Sequence, residues 1–555
     1  MKSLRIVIIG GVAGGMSAAT RARRLNEHAS IIVLERGGHI SFANCGLPYY
    51  LAGRIASEEQ LLIATPANVR RRFNIDARVG HEVTQIDRAG KSLEVLDHAG
   101  GRSYRLGYDK LIVATGASPI IPPIDHVHAP NVFFLRSMED TRQVQRWLVE
   151  RKPTSVAIIG AGFIGLEMAE AMRQRGLAVT VIEKAPQVLP PLDAEMASPV
   201  AEELRANHIE VITGNGLKAL HATGECVSAV ETEDGQRIET GMVLLSIGVR
   251  PNVTLAAEAG IKLGDSGAVA VDEYQRTSDA DIYAVGDASE VLHGVTNAAA
   301  RIPLAGPANR QGRLAGEHAA TGASAARGKP LGTAIVQVFG LAVGMSGLNE
   351  AAARRAGIDC DSAYVLPNHH AGYYPGAQPM RIKLLYRRGD GRILGAQIVG
   401  HEGVDKRIDV IAAAMHFNGT IDDLAQLDLA YAPQFGSAKD AVHLAAMVAQ
   451  NQRSQAGSAV AIAEVGDDLL VDVRTAGEFA AGSLPGAISI PLDELRGRIG
   501  ELDRARAIVV FCQVGQRGYV AQRILRQNGF ADVRNLKGGI SLAMQCAAKL
   551  AQPIG

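Results

Sequence analysis

Apolar, β-branched runs that end in glycine-rich turns recur along this chain and predict buried parallel strands. Residues 4–9 of LRIVIIGGVAGG form the first run, a helix follows the turn, and residues 31–34 form a second run that ends in Glu35. Strand, glycine turn, helix, strand and an acid about 20 residues on is the dinucleotide-binding arrangement. Valine replaces the middle glycine of the usual spacing, and the turn reads Gly10, Gly11, Val12, Ala13, Gly14 and Gly15.

The same arrangement recurs in SVAIIGAGFIGLEMAEAM, where Gly160, Gly162 and Gly165 give the full G-x-G-x-x-G spacing. The next strand, AVTVIEKA, ends in Glu183. Such glycines let the backbone approach a pyrophosphate at the helix N-terminus, and the acid accepts from ribose hydroxyls. Because a carboxylate repels a 2′-phosphate, Glu183 favours NADH, while the adjacent Lys184 leaves NADPH open.

Composition bounds the rest of the interpretation. A chain of 555 residues is too long for one core and suggests three or four domains. Lys+Arg and Asp+Glu both total 57, which gives no reason to expect nucleic acid or an anionic membrane as partner. No run approaches the roughly 20 apolar residues of a membrane span, and the glycine-broken start does not resemble a signal peptide. The five scattered cysteines indicate a reducing compartment, so we expect a cytoplasmic protein.

Two further strand ends complete a recognisable set. YDKLIVATGASP ends a strand at Ala114-Thr115-Gly116, and DIYAVGDAS ends one at Gly286-Asp287. With these motifs, residues 1 to about 445 resemble the FAD-dependent pyridine nucleotide-disulfide reductase family. The resemblance implies bound FAD and NADH, with Asp287 hydrogen-bonded to the ribityl chain of FAD. Beyond the motif residues already named, it implies cofactor contacts from Arg36, Asn44, Val83, Ile164, Gly248, Leu304 and Ala305.

The stretch SFANCGLPYY places one cysteine, Cys45, where this family carries its redox cysteine. The next cysteine is Cys226, so no local disulfide forms. Pro48 suits the first turn of a helix, and we expect the positive helix end to favour the Cys45 thiolate. Two cycles are open to a lone thiolate: attack on an S–S bond of a small molecule, or cycling through sulfenic acid with peroxide or oxygen.

SFANCGLPY and PLAGPANRQGR resemble the coenzyme A-disulfide reductase and persulfide reductase branch. This resemblance implies a coenzyme A persulfide or disulfide, or a polysulfide, as substrate. It also implies a homodimer in which Tyr373 and Tyr431 of the partner subunit reach the substrate thiol, with Tyr374 a packing residue. Ala13 replaces the histidine of peroxide-reducing relatives, which argues against the sulfenic-acid cycle. Phe73 stands where the branch tends to carry a lysine. Candidate coenzyme A contacts are Arg21, Arg24, Ser41, Asn44, Arg72, Asn309, Arg310 and Lys439.

The tail resembles a different family. LLVDVRTAGEFAAGSLPGAISIPLDEL, AIVVFCQVGQRGYVAQRIL and NLKGGISLA are similar to rhodanese sulfurtransferases, although Ser483 replaces the usual histidine. In that family the six-residue loop from Cys512 to Arg517 is the size that transfers sulfur, and its backbone N–H groups hold a thiolate or persulfide. The adjacent His369 and His370 have no spaced Cys or His partners, so we expect no metal site.

These patterns predict an α/β protein with two Rossmann-like domains, an α+β dimerisation domain and an α/β rhodanese domain. The expected boundaries are 1–116 and 246–328 for FAD, 117–245 for NAD, 329–448 for dimerisation, 449–458 for a linker and 459–555 for rhodanese. The favoured function is NADH-dependent reduction of a persulfide, disulfide or polysulfide, with Cys512 handling sulfane sulfur. The alternatives are an NADH oxidase or peroxidase, and a redox-sensing sulfur-delivery protein.

Overall fold

The computed structural model describes residues 3–454 and 457–550, with side chains up to residue 545. The chain divides into two compact units, one of residues 1–186 and 208–332 and the other of residues 187–207 and 333–555. Among the described helices, none combines the length and apolarity needed to cross a bilayer.

The first part of the chain builds the strands that the apolar runs predict. Its elements are β1 (Arg5–Ile9), α1 (Ala13–Leu25), β2 (Ser30–Glu35), α2 (Leu47–Leu51), α3 (Pro66–Phe73), β3 (Asp76–Val79), β4 (His81–Asp87), β5 (Ser92–Asp97), β6 (Arg102–Gly107), β7 (Lys110–Val113) and β8 (Ala117–Pro119). β1 pairs in parallel with β2 and β7, and β4, β5 and β6 form a separate antiparallel sheet. The buried faces of β1 and β2 consist of isoleucine, valine and leucine, as expected of strands covered on both sides.

The next segment repeats the plan. Its elements are β9 (Val132–Phe133), α4 (Met138–Glu150), β10 (Ser155–Ile159), α5 (Phe163–Gln174), β11 (Ala178–Glu183), α6 (Ala194–Ala206), β12 (Ile209–Thr213), β13 (Leu217–Thr223), β14 (Cys226–Thr232), β15 (Arg237–Glu239), β16 (Val243–Leu245), β17 (Val249–Pro251), α7 (Thr254–Glu258), β18 (Ile282–Ala284), β19 (Val291–Leu292), β20 (Ala299–Ala300) and α8 (Ala305–Thr321). The second parallel sheet has the order β12-β11-β10-β16-β9.

The chain then returns to the first sheet, as the motif order predicts. β17 pairs with β8, and β18 adds beside β7, which completes the order β18-β7-β1-β2-β3. α8 packs on α1 at very short range: a Cβ on Gly312 would lie 2.1 Å from the carbonyl oxygen of Gly14, and one on Gly316 would lie 2.3 Å from that of Ala18. Only glycine permits this approach, which links the end of the returning segment to the first glycine turn.

The second unit begins with an α+β arrangement. Its elements are β21 (Ala334–Val338), β22 (Leu341–Gly347), α9 (Glu350–Arg355), β23 (Cys360–Val365), β24 (Met380–Arg387), β25 (Ile393–Gly400), α10 (Val404–His416), α11 (Ile421–Ala425) and α12 (Ala441–Arg453). The sheet is antiparallel with the order β21-β22-β25-β24-β23. α10 and α12 pack on it, and α6 contacts β21 and β25.

The first half of the predicted linker 449–458 is helical, because α12 runs to Arg453. The carboxylate of Asp422 accepts from Gln450 and Arg453 and secures this last turn. The stretch 449–458 is polar, but α12 is stabilised by packing of its buried face, which includes Ala445, Ala446 and Ala449.

The tail is a parallel α/β unit, as predicted. Its elements are β26 (Ala459–Val460), β27 (Leu469–Asp472), α13 (Ala476–Ala480), β28 (Ile488–Ser489), α14 (Leu492–Arg498), β29 (Ile508–Phe511), α15 (Gln516–Gln527), β30 (Val533–Leu536) and α16 (Gly539–Leu550). The strand order is β26-β30-β29-β27-β28. β29 is wholly buried and delivers Cys512 to the carboxyl edge of the sheet, where parallel α/β folds place their sites.

Candidate active site

The two glycine turns are built alike. Gly10 and Gly160 both adopt positive φ, at +100° and +102°. A Cβ on Gly10 would lie 2.2 Å from the carbonyl oxygen of Ala114, and one on Gly160 would lie 2.4 Å from that of Ser246. The turn conformation and the close approach of the next strand therefore both require glycine.

The helices that follow these turns fit a bound pyrophosphate. α1 and α5 have no capping side chain and no acidic residue in the first turn. By contrast, α4 begins with a capping box made by Ser137 and Asp140. The uncapped N–H groups and the helix dipole of α1 and α5 form an anion site. A Cβ on Gly162 would meet no atom within 4 Å, so that turn is open to a ligand.

The acids at the ends of β2 and β11 are held in matching positions. The Glu35 carboxylate accepts from the N–H of Gly11 and of Gly37, at 2.8 and 2.7 Å. The Glu183 carboxylate accepts from the N–H of Ala161 and of Ala185, both at 2.7 Å. These bonds fix each carboxylate beside its glycine turn with lone pairs left for ribose hydroxyls.

Lys184, which left NADPH open in the sequence, is already paired. Its ammonium lies 2.7 Å from the carboxylate of Glu233, and that pairing lowers the pKa of Glu233. The nearest predicted cation for a 2′-phosphate is thus neutralised, which supports the preference for NADH.

Asp287 lies in the short 3-10 turn Gly286–Ala288 and pairs with a residue that the sequence did not single out. The Arg136 guanidinium lies 2.7 Å from the Asp287 carboxylate. The side chain of Asn44 also reaches the carbonyl oxygen of Arg136, at 3.4 Å. Arg136 therefore connects the ribityl-type aspartate with the segment that carries Cys45.

The remaining predicted cofactor residues lie at element ends around these turns, with one exception. Thr115 and Gly116 follow β7, Gly248 follows β16 with φ of +108°, and Leu304 precedes α8. Ala305 and Ile164 lie in the first turns of α8 and α5, and Arg36 is exposed after β2. Val83 is the exception, because its side chain packs in the core with Ile9 and Val95.

Cys45 lies in the 3-10 turn Asn44–Gly46 directly before α2. The residue as a whole is exposed, although its sulfur is partly shielded from water. The expectation of a favoured thiolate is wrong for this environment. Burial of the sulfur raises the pKa of the Cys45 thiol, the Glu167 and Asp287 carboxylates raise it further, and only the Arg136 guanidinium and a backbone hydrogen bond lower it. A helix of five residues has too small a dipole to outweigh two carboxylates.

Glu167 is the main site residue that the sequence interpretation missed. It lies in α5, the helix of the second glycine motif, and accepts from the phenol of Tyr49 at 2.9 Å. Burial raises the pKa of this carboxyl group, although the bond from Tyr49 opposes the shift. The only available signal was the acid that follows G-x-G-x-x-G in FIGLE, and nothing local links it to Cys45.

The candidate coenzyme A contacts differ in how free they are. Arg21 is paired with Glu317 at 2.6 Å, so it is the least available cation of the set. Ser41 holds φ of +47° and its N–H donates to the carbonyl oxygen of Gly11. Asn309 accepts from Ser17 at 2.5 Å. The exposed cations among the candidates are Arg24, Arg72, Arg310 and Lys439.

Tyr373 and Tyr431, 58 residues apart in sequence, are brought together by the fold. Their phenol oxygens lie 2.9 Å apart, and Tyr373 is 76% exposed. The buried Arg407 donates to the carbonyl oxygens of His369 and Phe435, which lie near these tyrosines in sequence. It also pairs with the carboxylate of Asp440 at 2.8 Å. Arg407 therefore fixes the loop that carries Tyr373 relative to the loop that carries Tyr431.

Cys512 opens a loop in which one backbone N–H faces its sulfur. The thiol is buried, and its sulfur accepts from the N–H of Gly515 at 3.1 Å. Arg517 makes two bonds to Glu478, at 2.8 and 2.7 Å, and this pairing holds the pKa of Glu478 at about 2. Ser483, the departure from the family, donates to the buried Asp472 at 2.8 Å and so satisfies that carboxylate.

Three family models match this chain in order. Residues 4–312 match pyridine nucleotide-disulphide oxidoreductase, residues 333–442 match its dimerisation domain, and residues 455–544 match a rhodanese-like domain. The chain belongs to the pyridine nucleotide-disulphide oxidoreductase family. The family assignment confirms the fold class and the predicted FAD and NADH cofactors.

Relatives of this pyridine nucleotide-disulphide oxidoreductase include proteins of the same length. The crystal structure of reduced Bacillus anthracis CoADR-RHD is 42% identical with a TM-score of 0.95, and 99% of each chain is covered. The structure of an NAD-dependent persulfide reductase from A. fulgidus is 38% identical with a TM-score of 0.92, covering 97% of this chain and 100% of that one. An NADH oxidase of Methanocaldococcus jannaschii is 36% identical over 80% of this chain and 98% of its own length.

One acidic cluster of this oxidoreductase is structural. Asp193, Glu195 and Glu350 bring carboxylate oxygens close together. The ammonium of Lys383, only 3% exposed, pairs with all three, at 2.9 Å from Asp193 and Glu350. The lysine joins α6 to the dimerisation sheet, and buried charges of this kind are stable only when paired.

Proposed function

We propose that this protein is an NADH-dependent flavoenzyme that reduces the S–S bond of a coenzyme A persulfide or disulfide, or of a polysulfide, through Cys45. The observation that carries the proposal is the environment of that thiol. Arg136 links Asp287 to Asn44, the residue before Cys45, and Glu167 of the nucleotide-binding helix α5 bonds Tyr49, four residues after it. A single cysteine between the two dinucleotide motifs suits electron transfer to a substrate that brings the second sulfur.

The first step needs only residues of this chain and a persulfide. The Cys45 thiolate attacks the sulfur bonded to carbon in R–S–SH, the S–S bond breaks, hydrosulfide leaves, and a Cys45–S–S–R mixed disulfide forms. Bound FAD would supply the two electrons, taken from NADH, that return this disulfide to two thiols. Among the charged groups around Cys45, Arg136 favours the thiolate, and Glu167 and Asp287 oppose it.

The substrate site is proposed to be shared between two subunits. The chain has a dimerisation domain, and the phenol pair of Tyr373 and Tyr431 is fixed but exposed. In the proposed dimer these phenols donate to the leaving thiol at Cys45 of the other subunit. Asn309, Arg310 and Lys439 with Arg24 and Arg72 are proposed to contact coenzyme A. Arg21 contributes least because Glu317 neutralises it.

The rhodanese domain is proposed to load or accept sulfane sulfur at Cys512. The N–H of Gly515 that faces the sulfur stabilises a thiolate or persulfide there. The described cysteines Cys45, Cys226, Cys360 and Cys512 are all unpaired, which suits the reducing, cytoplasmic location that we propose.

Anaerobic NADH oxidation with coenzyme A persulfide tests the proposal, with sulfide release measured for the wild type, Cys45→Ser and Cys512→Ser. We expect wild-type sulfide release to match NADH consumption and Cys45→Ser to release none. The Cys512→Ser variant should still reduce coenzyme A persulfide that is added directly to the assay. NADH consumption without sulfide would contradict the proposal.

The second candidate is an NADH oxidase, which the relative of that name favours. Ala13 argues against an oxidase, because the first glycine turn then has no acid or base that could act on a cysteine sulfenic acid. Oxygen uptake and peroxide consumption by the reduced enzyme separate the two functions. The oxidase function predicts turnover with oxygen that exceeds turnover with persulfide.

A further inference from the structure

Residues 537–541, which comprise the turn after β30 and the first residues of α16, form one wall of the Cys512 loop. The N–H of Ile540 donates to the carbonyl oxygen of Cys512 at 2.8 Å, and the N–H of Ser541 donates to that of Gln513 at 3.1 Å. The Gln513 side chain returns a bond to the Ser541 hydroxyl at 2.8 Å. The position of the loop therefore depends on the position of this segment.

The other end of the segment is held by the dimerisation domain. The Lys537 ammonium lies 2.7 Å from the carboxylate of Asp361 in β23, and the side chains are only 18% and 16% exposed. Ion pairs that are this shielded are held more firmly than those in open water. The main chain of Lys537 is fixed as well, because its N–H donates to the carbonyl oxygen of Val460 at 2.9 Å.

A steric contact lies beside the ion pair. Gly538 and Gly539 both have positive φ, at +65° and +60°. A Cβ on Gly538 would lie 2.6 Å from the side chain of Leu542 and 2.8 Å from the ring of Tyr364, and one on Gly539 would lie 2.3 Å from the carbonyl oxygen of Cys512. The segment thus fits between a dimerisation-domain aromatic ring and the catalytic loop with no room for a side chain at either position.

We propose that Asp361 and Tyr364 are positioning residues of the sulfurtransferase site, acting on Cys512 through residues 537–541. The proposal rests on the proposed role of Cys512 and extends it: the dimerisation domain completes the rhodanese site. Loss of the Asp361–Lys537 pair lets the segment shift, and the Cys512 carbonyl and the loop that it orients move with it. Sulfur transfer at Cys512 then slows although no group that touches sulfur has changed.

The test uses the full-length holoenzyme and two isosteric changes, Asp361→Asn and Lys537→Met. Arg388→Gln is the matched control, because Arg388 also pairs with Asp361, at 3.0 Å, and its other ion pair is to Asp359, outside the segment. Sulfur transfer from thiosulfate or glutathione persulfide to cyanide reports Cys512, and NADH-dependent persulfide reduction reports Cys45. Hydrogen exchange of the Cys512 and Ile540 peptides and the alkylation rate of Cys512 report the loop.

We expect Asp361→Asn and Lys537→Met to lower kcat for sulfur transfer about fivefold, as a small misplacement does. Exchange of the loop peptides should rise, while Arg388→Gln and the reductase rate stay at wild-type values. The double variant Asp361→Lys, Lys537→Asp should recover most of the transfer rate. Unchanged transfer and exchange in Lys537→Met would overturn the proposal, as would equal losses in both activities.

A failure of the proposed reductase function would give a different result from a failure of the Asp361 proposal. If wild-type enzyme released no sulfide from persulfide but transferred sulfur to cyanide, the reductase assignment would fail while the positioning role stayed testable. The inference about Asp361 depends only on the transfer assay and the loop measurements.

Discussion

The phenol of Tyr49 donates a 2.9 Å hydrogen bond to Glu167 and so joins the helix that follows Cys45 to the helix of the second glycine motif. The two helices pack against each other, and an ion pair between Arg54, just after α2, and Glu170 of α5 adds a second link. Burial raises the pKa of Glu167 and of Tyr49. Because Glu167 also raises the pKa of Cys45, the Cys45 thiol is electrostatically coupled to this helix.

Glu167→Gln is expected to lower the pKa of Cys45, because a carboxylate that opposes the thiolate is removed. At a pH where Glu167 is ionised, the variant should hold more thiolate and react faster with iodoacetamide. The pH dependence of Cys45 alkylation, with peptide mapping to separate it from the other cysteines, measures the shift. Glu170→Gln, one turn further along α5, is the control and should shift Cys45 less. A pKa that rises in Glu167→Gln would contradict the coupling.

Nucleotide preference gives a second prediction. Glu233→Gln removes the partner of Lys184 and frees its ammonium for a 2′-phosphate. We expect KM for NADPH to fall roughly threefold, a small effect because the pair is exposed, with KM for NADH unchanged. Glu231→Gln, which breaks the similar exposed pair with Lys218, should change neither value. Steady-state kinetics with both nucleotides measures the ratio, and an equal response of the two variants would argue against a role for Lys184.

The fold was predictable because its determinants are local. Each apolar run, glycine turn and terminal acid lies within a few tens of residues, and their order fixed the interrupted FAD domain, the NAD domain and the tail. Tyr373 and Tyr431 were identified from a resemblance, and the fold places their phenols 2.9 Å apart. Cys512 and Arg517 were likewise identified from a resemblance, and the length of their loop favoured sulfur transfer.

The electrostatics of the site was not predictable in the same way. Glu167, Arg136 and Asp361 act through contacts that span about 90 residues or more, and no local pattern marks them. The expected direction of the Cys45 pKa shift was wrong, because burial and two carboxylates raise the pKa more than a short helix lowers it. The polar composition of 449–458 likewise gave no sign that α12, whose buried face includes Ala445, Ala446 and Ala449, runs to Arg453.

The contact between α1 and α8 gives a prediction about stability. In Gly312→Ala the new methyl group would lie 2.1 Å from the carbonyl oxygen of Gly14, and overpacking of this kind costs about 1–3 kcal/mol. We expect a lower thermal midpoint and a lower flavin content, since the first glycine turn shifts. Gly306→Ala in the same helix is the control. Its methyl group meets only the flexible end of Arg310, at 3.4 Å, so its midpoint should not fall.

The last prediction concerns acid stability of the tail. The Arg517 guanidinium holds the pKa of Glu478 at about 2, below its ordinary 4.5. A depressed carboxyl pKa adds stability that is complete above about 4.5 and is lost as pH falls through about 2. Since the pair is partly exposed, we expect Glu478→Gln to lower unfolding stability by at most about 1 kcal/mol at pH 6. The difference should shrink towards pH 2.5. Urea unfolding monitored by hydrogen exchange of α13 and α15 measures it, and a difference that does not depend on pH would show that the carboxylate charge contributes nothing.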